Sequence, residues 1–228
     1  MNIKNNLELV NKKIANAAGK SGRKPEEVTL VGVSKRIRNE VITECYKSGL
    51  FNFGENYAQE FRDKYELLNP EYSKLIWHFI GHLQKNKIKY VIGKVGLIHS
   101  LNSITLAEEI NNRAEKLGIE VKMLIEINTS GEKSKSGITF EESDKLLQRA
   151  AQLNNIKVTG FMTMAPYFDE SEKARPYFRK LKDYRDHTVI GFPDVKELSM
   201  GMSGDFEIAI EEGSTIVRIG TAVFGPRN

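Results

Sequence analysis

Two hydrophobic periods take turns along this chain. Short apolar runs, rich in β-branched residues, recur at Val28–Ser34, Leu50–Gly54, Leu75–Ile80, Gly96–Leu101, Val121–Asn128, Ile156–Met162, Val195–Met200 and Ser214–Gly220. Runs of this length and composition read as buried strands. Between them the apolar positions recur every three to four residues, the spacing of amphipathic helices. An opening helix carries Ile3, Leu7, Val10, Ile14 and Ala17 on one face, with Gly19 near its end. Thr105-x-x-Glu108 and Thr139-x-x-Glu142 read as capping boxes, the first ahead of Leu106, Ala107, Ile110, Ala114 and Leu117 before Gly118, the second ahead of Leu146, Leu147, Ala150 and Ala151. Pro176 belongs in the first turn of a further helix with Phe178, Leu181 and Tyr184. Eight strands alternating with helices predict an α/β fold: one (β/α)8 TIM barrel over residues 1–228, preceded by an extra helix. An open doubly wound sheet is the alternative.

Composition narrows the function classes. The chain is 40% hydrophobic and 28% charged, an ordinary globular balance. Its 34 basic and 30 acidic side chains leave +4, too little to argue for nucleic acid as a partner. No apolar stretch approaches membrane-spanning length, and the N-terminus lacks the uninterrupted apolar core of a signal peptide, so a cytoplasmic location is expected. Cys45 is the single cysteine. It shares a helical face with Val41, Ile42 and Tyr46 and reads as an inert buried thiol.

A barrel makes a demand on the sequence, because its chemistry sits at the C-terminal ends of the strands. Polar and glycine-rich clusters fall there: Ser34-Lys35, Gly54-Glu55-Asn56-Tyr57, Gly81-His82-Leu83-Gln84, His99-Ser100, Asn128-Thr129-Ser130-Gly131 and Met162-Thr163-Met164. Lys35 is the most informative of these residues. Partial desolvation at the mouth of a buried strand lowers a lysine pKa, and a neutral amine can attack an aldehyde; a strand-end lysine can equally lay its stem on the protein and keep its head in water. Ser199-Met200-Gly201-Met202-Ser203-Gly204-Asp205 leads from the seventh strand into a short helix around Phe206–Ile210, with Ser203 as the expected N-cap. Gly220-Thr221 follows the eighth strand. Phosphate sites of barrels use the loops after these two strands, where glycine lets backbone N–H groups approach phosphate oxygens. Arg218 alternates with apolar residues on the eighth strand, which sets it facing the barrel interior or in an ion pair with a strand-end carboxylate.

A lysine on the first strand and a phosphate cradle on the last two describe a site for a phosphorylated aldehyde. With these residues in view, the chain resembles the pyridoxal 5′-phosphate (PLP) homeostasis protein family. The resemblance is carried by Leu30-Val31-Gly32-Val33-Ser34-Lys35, Phe53-Gly54-Glu55-Asn56-Tyr57, Trp77-His78-Phe79-Ile80-Gly81-His82-Leu83-Gln84-Lys85-Asn86-Lys87, Asn128-Thr129-Ser130-Gly131, Ser134-Lys135-Ser136-Gly137, Met162-Thr163-Met164-Ala165-Pro166, Leu198 through Phe206, and Val217-Arg218-Ile219-Gly220-Thr221. These stretches span nearly the whole chain in family order. The resemblance implies a barrel like the N-terminal domain of alanine racemase, PLP fold type III. It implies PLP held as a Schiff base on Lys35, phosphate bound by Ser203, Gly204, Gly220 and Thr221, Arg218 facing the pyridine nitrogen, and Asn56 beside the cofactor. Arg36-Ile37-Arg38 departs from the family, where threonine, a second lysine or valine, and proline commonly follow the lysine.

A cation facing the pyridine nitrogen disfavours its protonation, and an unprotonated ring is a weaker electron sink. The chain also ends a few residues after the eighth strand, without the separate domain that supplies the second base of alanine racemase. The expectation is therefore a non-enzymatic, monomeric PLP carrier, with no catalytic residues and no metal, whose protein partners are PLP-requiring apo-enzymes. A racemase-like enzyme is the alternative, and an aldolase-like use of Lys35 on a sugar phosphate a third reading. His78-x-x-x-His82 has a metal-chelating spacing on a helix but falls on a strand pattern. Lys85, Lys87, Lys89 and Lys94 read as a solvated basic face. Lys135 is either at the mouth of the site or solvent-exposed, and Glu55 and His99 are either cofactor neighbours or structural hydrogen-bond partners.

Overall fold

The computed structural model describes residues 2–132 and 135–226; Ser134 of the Ser-Lys-Ser-Gly stretch and the ends of the 1–228 span lie outside them. Eight parallel strands close into a barrel in sequential order. They are β1 (Thr29–Val33), β2 (Asn52–Glu55), β3 (Ile76–Phe79), β4 (Leu97–Leu101), β5 (Val121–Glu126), β6 (Ile156–Met162), β7 (Glu197–Ser199) and β8 (Ile216–Ile219). Around and ahead of them lie α1 (Ile3–Lys20), α2 (Asn39–Lys47), α3 (Ala58–Leu68), α4 (Ile88–Val91), α5 (Ile104–Leu117), α6 (Phe140–Ala150), α7 (Arg175–Thr188), α8 (Phe206–Glu211) and α9 (Thr221–Phe224). The closed barrel decides against an open doubly wound sheet.

Side chains alternate along each strand, as the pleat requires. On β3, Trp77 and Phe79 join the large apolar shell between strands and helices, while His78 turns inward. On β8, Val217 and Ile219 join that shell and Arg218 turns inward. The barrel interior holds a small apolar plug of Val31, Leu97, Leu124, Met162 and Ile216. Above and beside the plug the interior is polar, and His78, His99, Ser199 and Arg218 are hydrogen-bonded to one another there.

Helix ends follow local chemistry. Thr139 and Glu142 form the reciprocal box expected of them, with Thr139 Oγ1 accepting from Glu142 N–H at 3.2 Å and Glu142 Oε2 accepting from Thr139 N–H at 2.8 Å. Pro176 stands in the first turn of α7. The Thr105 box is not formed. Ser103 caps α5 instead, its Oγ accepting from Leu106 N–H at 3.2 Å, because Ser103 is extended and Thr105 is already inside the helix. Gly118 ends α5 in the left-handed conformation at φ 64°. The first helix runs through Gly19 to Lys20. Its apolar face packs on α8 and α9, and Asn6 Nδ2 donates to Val223 O at 2.9 Å. The thiol of Cys45 is buried and its pKa is pushed up to about 12 by desolvation, in keeping with an inert side chain.

Candidate functional site

The seam between β7 and β8 is thin. A single register pair, Ser199 with Ile216, joins the two strands. Backbone and side-chain hydrogen bonds at its two ends complete the seam. Ser214 Oγ donates across it, with Met200 O at 2.8 Å. Arg218 N–H reaches Gly201 O at 3.0 Å, and the Arg218 guanidinium donates to Ser199 O at 2.7 Å, Ser199 Oγ at 2.6 Å and Thr163 O at 2.9 Å. The chain leaves β7 through Gly201, at φ 94°, where a Cβ would lie 2.6 Å from Ala209 Cβ and 2.9 Å from Phe206 Cα. Only glycine fits that approach to α8.

A cavity of ≈ 480 Å³ opens at the C-terminal ends of the strands beside this seam. Lys35, Ser203, Gly204, Arg218, Gly220 and Thr221 all line it, together with Lys135. Among the described residues the amides of Ser203, Gly204 and Thr221 donate to no protein acceptor, so this wall presents unsatisfied donors to whatever enters. Ser203 is not a helix N-cap. Asp205 occupies the cap position of α8 and accepts from Met202 N–H at 2.6 Å, while Ser203 Oγ accepts from Ala222 N–H at 3.2 Å and so ties the two glycine-containing loops together.

Among the described residues Arg218 forms no direct ion pair. Asp205 and Glu126 favour its charge from further off, and burial brings its pKa down to about 10, which leaves it cationic at neutral pH. Burial raises the pKa of both carboxyls, and Arg218 opposes that rise. Behind Arg218 runs a relay that the sequence does not announce. Ser199 Oγ lies 2.9 Å from His99 Nδ1, His99 Nε2 lies 2.9 Å from His78 Nδ1, and His78 Nε2 lies 3.1 Å from Asn52 Oδ1. Arginine only donates, so one assignment satisfies every member: the Ser199 hydroxyl donates to His99, His99 to His78, and His78 to Asn52. Both rings are then neutral. Burial lowers the His78 pKa to about 4 and that of His99 well below its ordinary value. His99 is thus a structural partner reached through Ser199. His82 is exposed and does not converge on His78, and the described residues contain no cluster of metal-ligating side chains.

The Lys35 side of the cavity rests on an ionic support. Lys35 stands two residues beyond β1, in a turn closed by Ile37 N–H to Ser34 O at 2.9 Å. Arg36, the residue after it, has φ 60°. Beneath the turn, Lys64 on α3 is 6% exposed and its Nζ reaches Ser34 O at 2.6 Å, Glu55 Oε1 at 2.7 Å and Glu60 Oε1 at 2.7 Å. Ser34 Oγ also donates to Glu55 Oε1, at 2.7 Å. Glu55 therefore belongs to the support under Lys35, and burial raises its pKa against the opposing pull of Lys64. Asn56 follows directly but does not line the cavity; its Oδ1 is buried without a partner. Nothing in the apolar pattern singled out Lys64. The available signal was Glu60 and Lys64 at the i,i+4 spacing, oriented as a favourable pair.

The family described as the alanine racemase N-terminal domain matches residues 38–228. The pyridoxal phosphate homeostasis protein of Aquifex aeolicus is 48% identical over 228 residues, covering 100% of this chain and 99% of its own. The chain belongs to the pyridoxal phosphate homeostasis protein family. The Escherichia coli member is 40% identical, across 99% of this chain and 97% of that protein. The family likeness extends to solved structures. PipY of Synechococcus elongatus with PLP bound superposes with a TM-score of 0.82 at 31% identity, over 93% of this chain and 100% of that one. Alanine racemase of Clostridium difficile shares the fold at 17% identity and a TM-score of 0.76, with this chain spanning 60% of its length.

Proposed function

We propose that this protein is a single-domain carrier of PLP, which it holds in the cavity between Lys35 and the glycine-containing loops after β7 and β8. The observation that carries this reading is the convergence of three chemistries in one cavity. Unpartnered amides at Ser203, Gly204 and Thr221, with Gly220 beside them, suit a phosphate. Lys35 offers an amine, and Arg218 a cation. PLP supplies an aldehyde and a pyridine ring, and the aldehyde condenses with Lys35 Nζ with loss of one water. Arg218 faces the pyridine nitrogen, held in place by Ser199 and Thr163. Asn56, which the family resemblance sets beside the cofactor, stands just outside the cavity lining, its buried Oδ1 without a partner among the described residues. The identity to proteins named for PLP homeostasis, and to PipY solved with PLP, supports the choice of ligand.

The same arginine supports holding over turnover. A guanidinium that stays charged at neutral pH keeps the ring nitrogen unprotonated and weakens the ring as an electron sink. The protein then acts as a cytoplasmic monomer that buffers PLP and hands it to PLP-requiring apo-enzymes. Borohydride treatment with PLP followed by peptide mass mapping tests the attachment. A reduced adduct on Lys35 that is lost in Lys35→Ala is the expected result; a protein that remains colourless with added PLP and gives no adduct contradicts it. Robust Lys35-dependent racemisation of an amino acid, read by chiral analysis, would make it an enzyme.

A further inference from the structure

We infer that Glu60 and Lys64 of α3 form a clamp on the backbone of Lys35 and are positioning residues for its amine. The inference rests on the reading of Lys35 as the PLP attachment point, but its geometry stands apart from any ligand. Two peptide groups meet at the Lys35 Cα. The carbonyl of one is Ser34 O, which accepts from Lys64 Nζ at 2.6 Å. The N–H of the other is that of Arg36, which donates to Glu60 Oε1 at 2.5 Å. Both planes beside Lys35 are thus gripped by charged groups, and the two grips are bonded to each other, Lys64 Nζ to Glu60 Oε1 at 2.7 Å.

The clamp has something to hold. Arg36 is the one residue other than glycine with a positive φ among the described residues, a conformation that is strained for a non-glycine side chain and persists only where its surroundings impose it. The bond from Arg36 N–H to a carboxylate is charge-assisted and of the strength needed to offset that strain. Glu55 completes the base. It is fully buried, accepts from both Lys64 and Ser34 Oγ, and anchors the clamp to β2. The direction in which Lys35 leaves the backbone is therefore set by α3 and β2 and not by β1 alone. Loss of the clamp lets the turn relax at Arg36 and swings the amine away from the phosphate cradle.

Glu60→Ala is the variant to use, since the Glu60 side chain is 25% exposed and alanine suits a helix. Hydrogen exchange in the cofactor-free protein reads the clamp directly. The Arg36 amide is expected to exchange about tenfold faster in Glu60→Ala, the equivalent of ~1.4 kcal/mol. Covalent capture of PLP on Lys35, followed by borohydride and mass analysis, is expected to slow by about tenfold. Adding Arg36→Gly, which adopts positive φ without strain, should bring capture back to within about threefold of the starting protein. An unchanged Arg36 amide, unchanged capture in Glu60→Ala, or no rescue by Arg36→Gly overturns the clamp. Failure of the unsubstituted protein to label at Lys35 instead overturns the reading of Lys35, and the exchange measurement still decides the clamp.

Discussion

The two walls of the cavity are built on different principles. The β7–β8 wall offers backbone: unpaired amides on glycine-containing loops, a thin strand seam and one arginine fixed by carbonyls and a hydroxyl. The β1–β2 wall offers side-chain charge: a buried Lys64 shared by two carboxylates beneath a turn at positive φ. Backbone donors suit an anion that must be recognised by shape and released, because they carry no net charge of their own. A charged clamp suits a residue whose amine must be aimed. The contrast also has an acid–base side. Burial raises the Glu55 pKa, so acid favours the folded form of the ionic wall, whereas the histidines behind Arg218 have lowered values and make acid costly on the other.

Arg218→Leu should break the comparison most severely. It removes the buried cation behind the backbone wall, leaves Thr163 O without its guanidinium donor and Ser199 O with the Thr163 N–H alone, and strips Asp205 and Glu126 of the charge that favours their ionised forms. Loss of one member of a buried charged network costs about 3–5 kcal/mol. Urea unfolding of the cofactor-free protein measures it, and a loss below about 1 kcal/mol would show that the seam does not depend on Arg218. Gly201→Ala comes next, at about 2–3 kcal/mol, because the residue is at φ 94° and the new Cβ meets α8 at 2.6 Å. The same unfolding curves report it, and a midpoint equal to that of the unsubstituted protein would contradict the packing.

Acidification separates the walls by sign. His78 has a folded pKa of about 4 against an ordinary value of 6.5. Its contribution is fully present above the unfolded value and declines as pH falls from there toward the folded value. Between pH 6.5 and 5 the loss from His78 alone is about 1.6 kcal/mol, and His99 adds to it in the same direction. Glu55, with its raised value, acts with the opposite sign in its own range, since the folded protein there binds the proton more tightly. Replacing His78 by Gln should flatten the decline of stability with acid. A slope unchanged in His78→Gln would mean that the relay does not hold its rings neutral.

Much of the barrel was legible because strand burial leaves a strong apolar signal. All eight runs became strands, the sixth with its bounds unchanged, the second shifted to end at Glu55 and the others shortened at one or both ends, and the glycine-containing loops that the sequence placed after β7 and β8 do line the cavity. What escaped was the set of contacts between elements. Lys64 looks like any solvated lysine on α3 until β2 and the turn after β1 close around it. His78 and His99 each sit alone on an apolar strand, and 21 residues separate the pair that touches. The missed cap at Ser103 has a different cause: two candidate hydroxyls two residues apart, of which only the extended one can accept from the first turn.

Gly204 supplies the smallest and cleanest test of the backbone wall. A Cβ added there meets no protein atom within 4 Å, and its φ lies outside the left-handed range, so Gly204→Ala should change stability by no more than about 0.5 kcal/mol. The methyl group instead stands on the wall where the Ser203, Gly204 and Thr221 amides face the cavity. If those amides bind the phosphate, the substitution should weaken PLP retention by about tenfold through crowding of the anion, the equivalent of ~1.4 kcal/mol, with the unfolding curve unmoved. Inorganic phosphate as a competitor should lose affinity by a similar factor, because it needs the amides and not Lys35. Equal retention of PLP by both proteins would place the phosphate elsewhere in the cavity and leave the ionic wall as the principal source of binding.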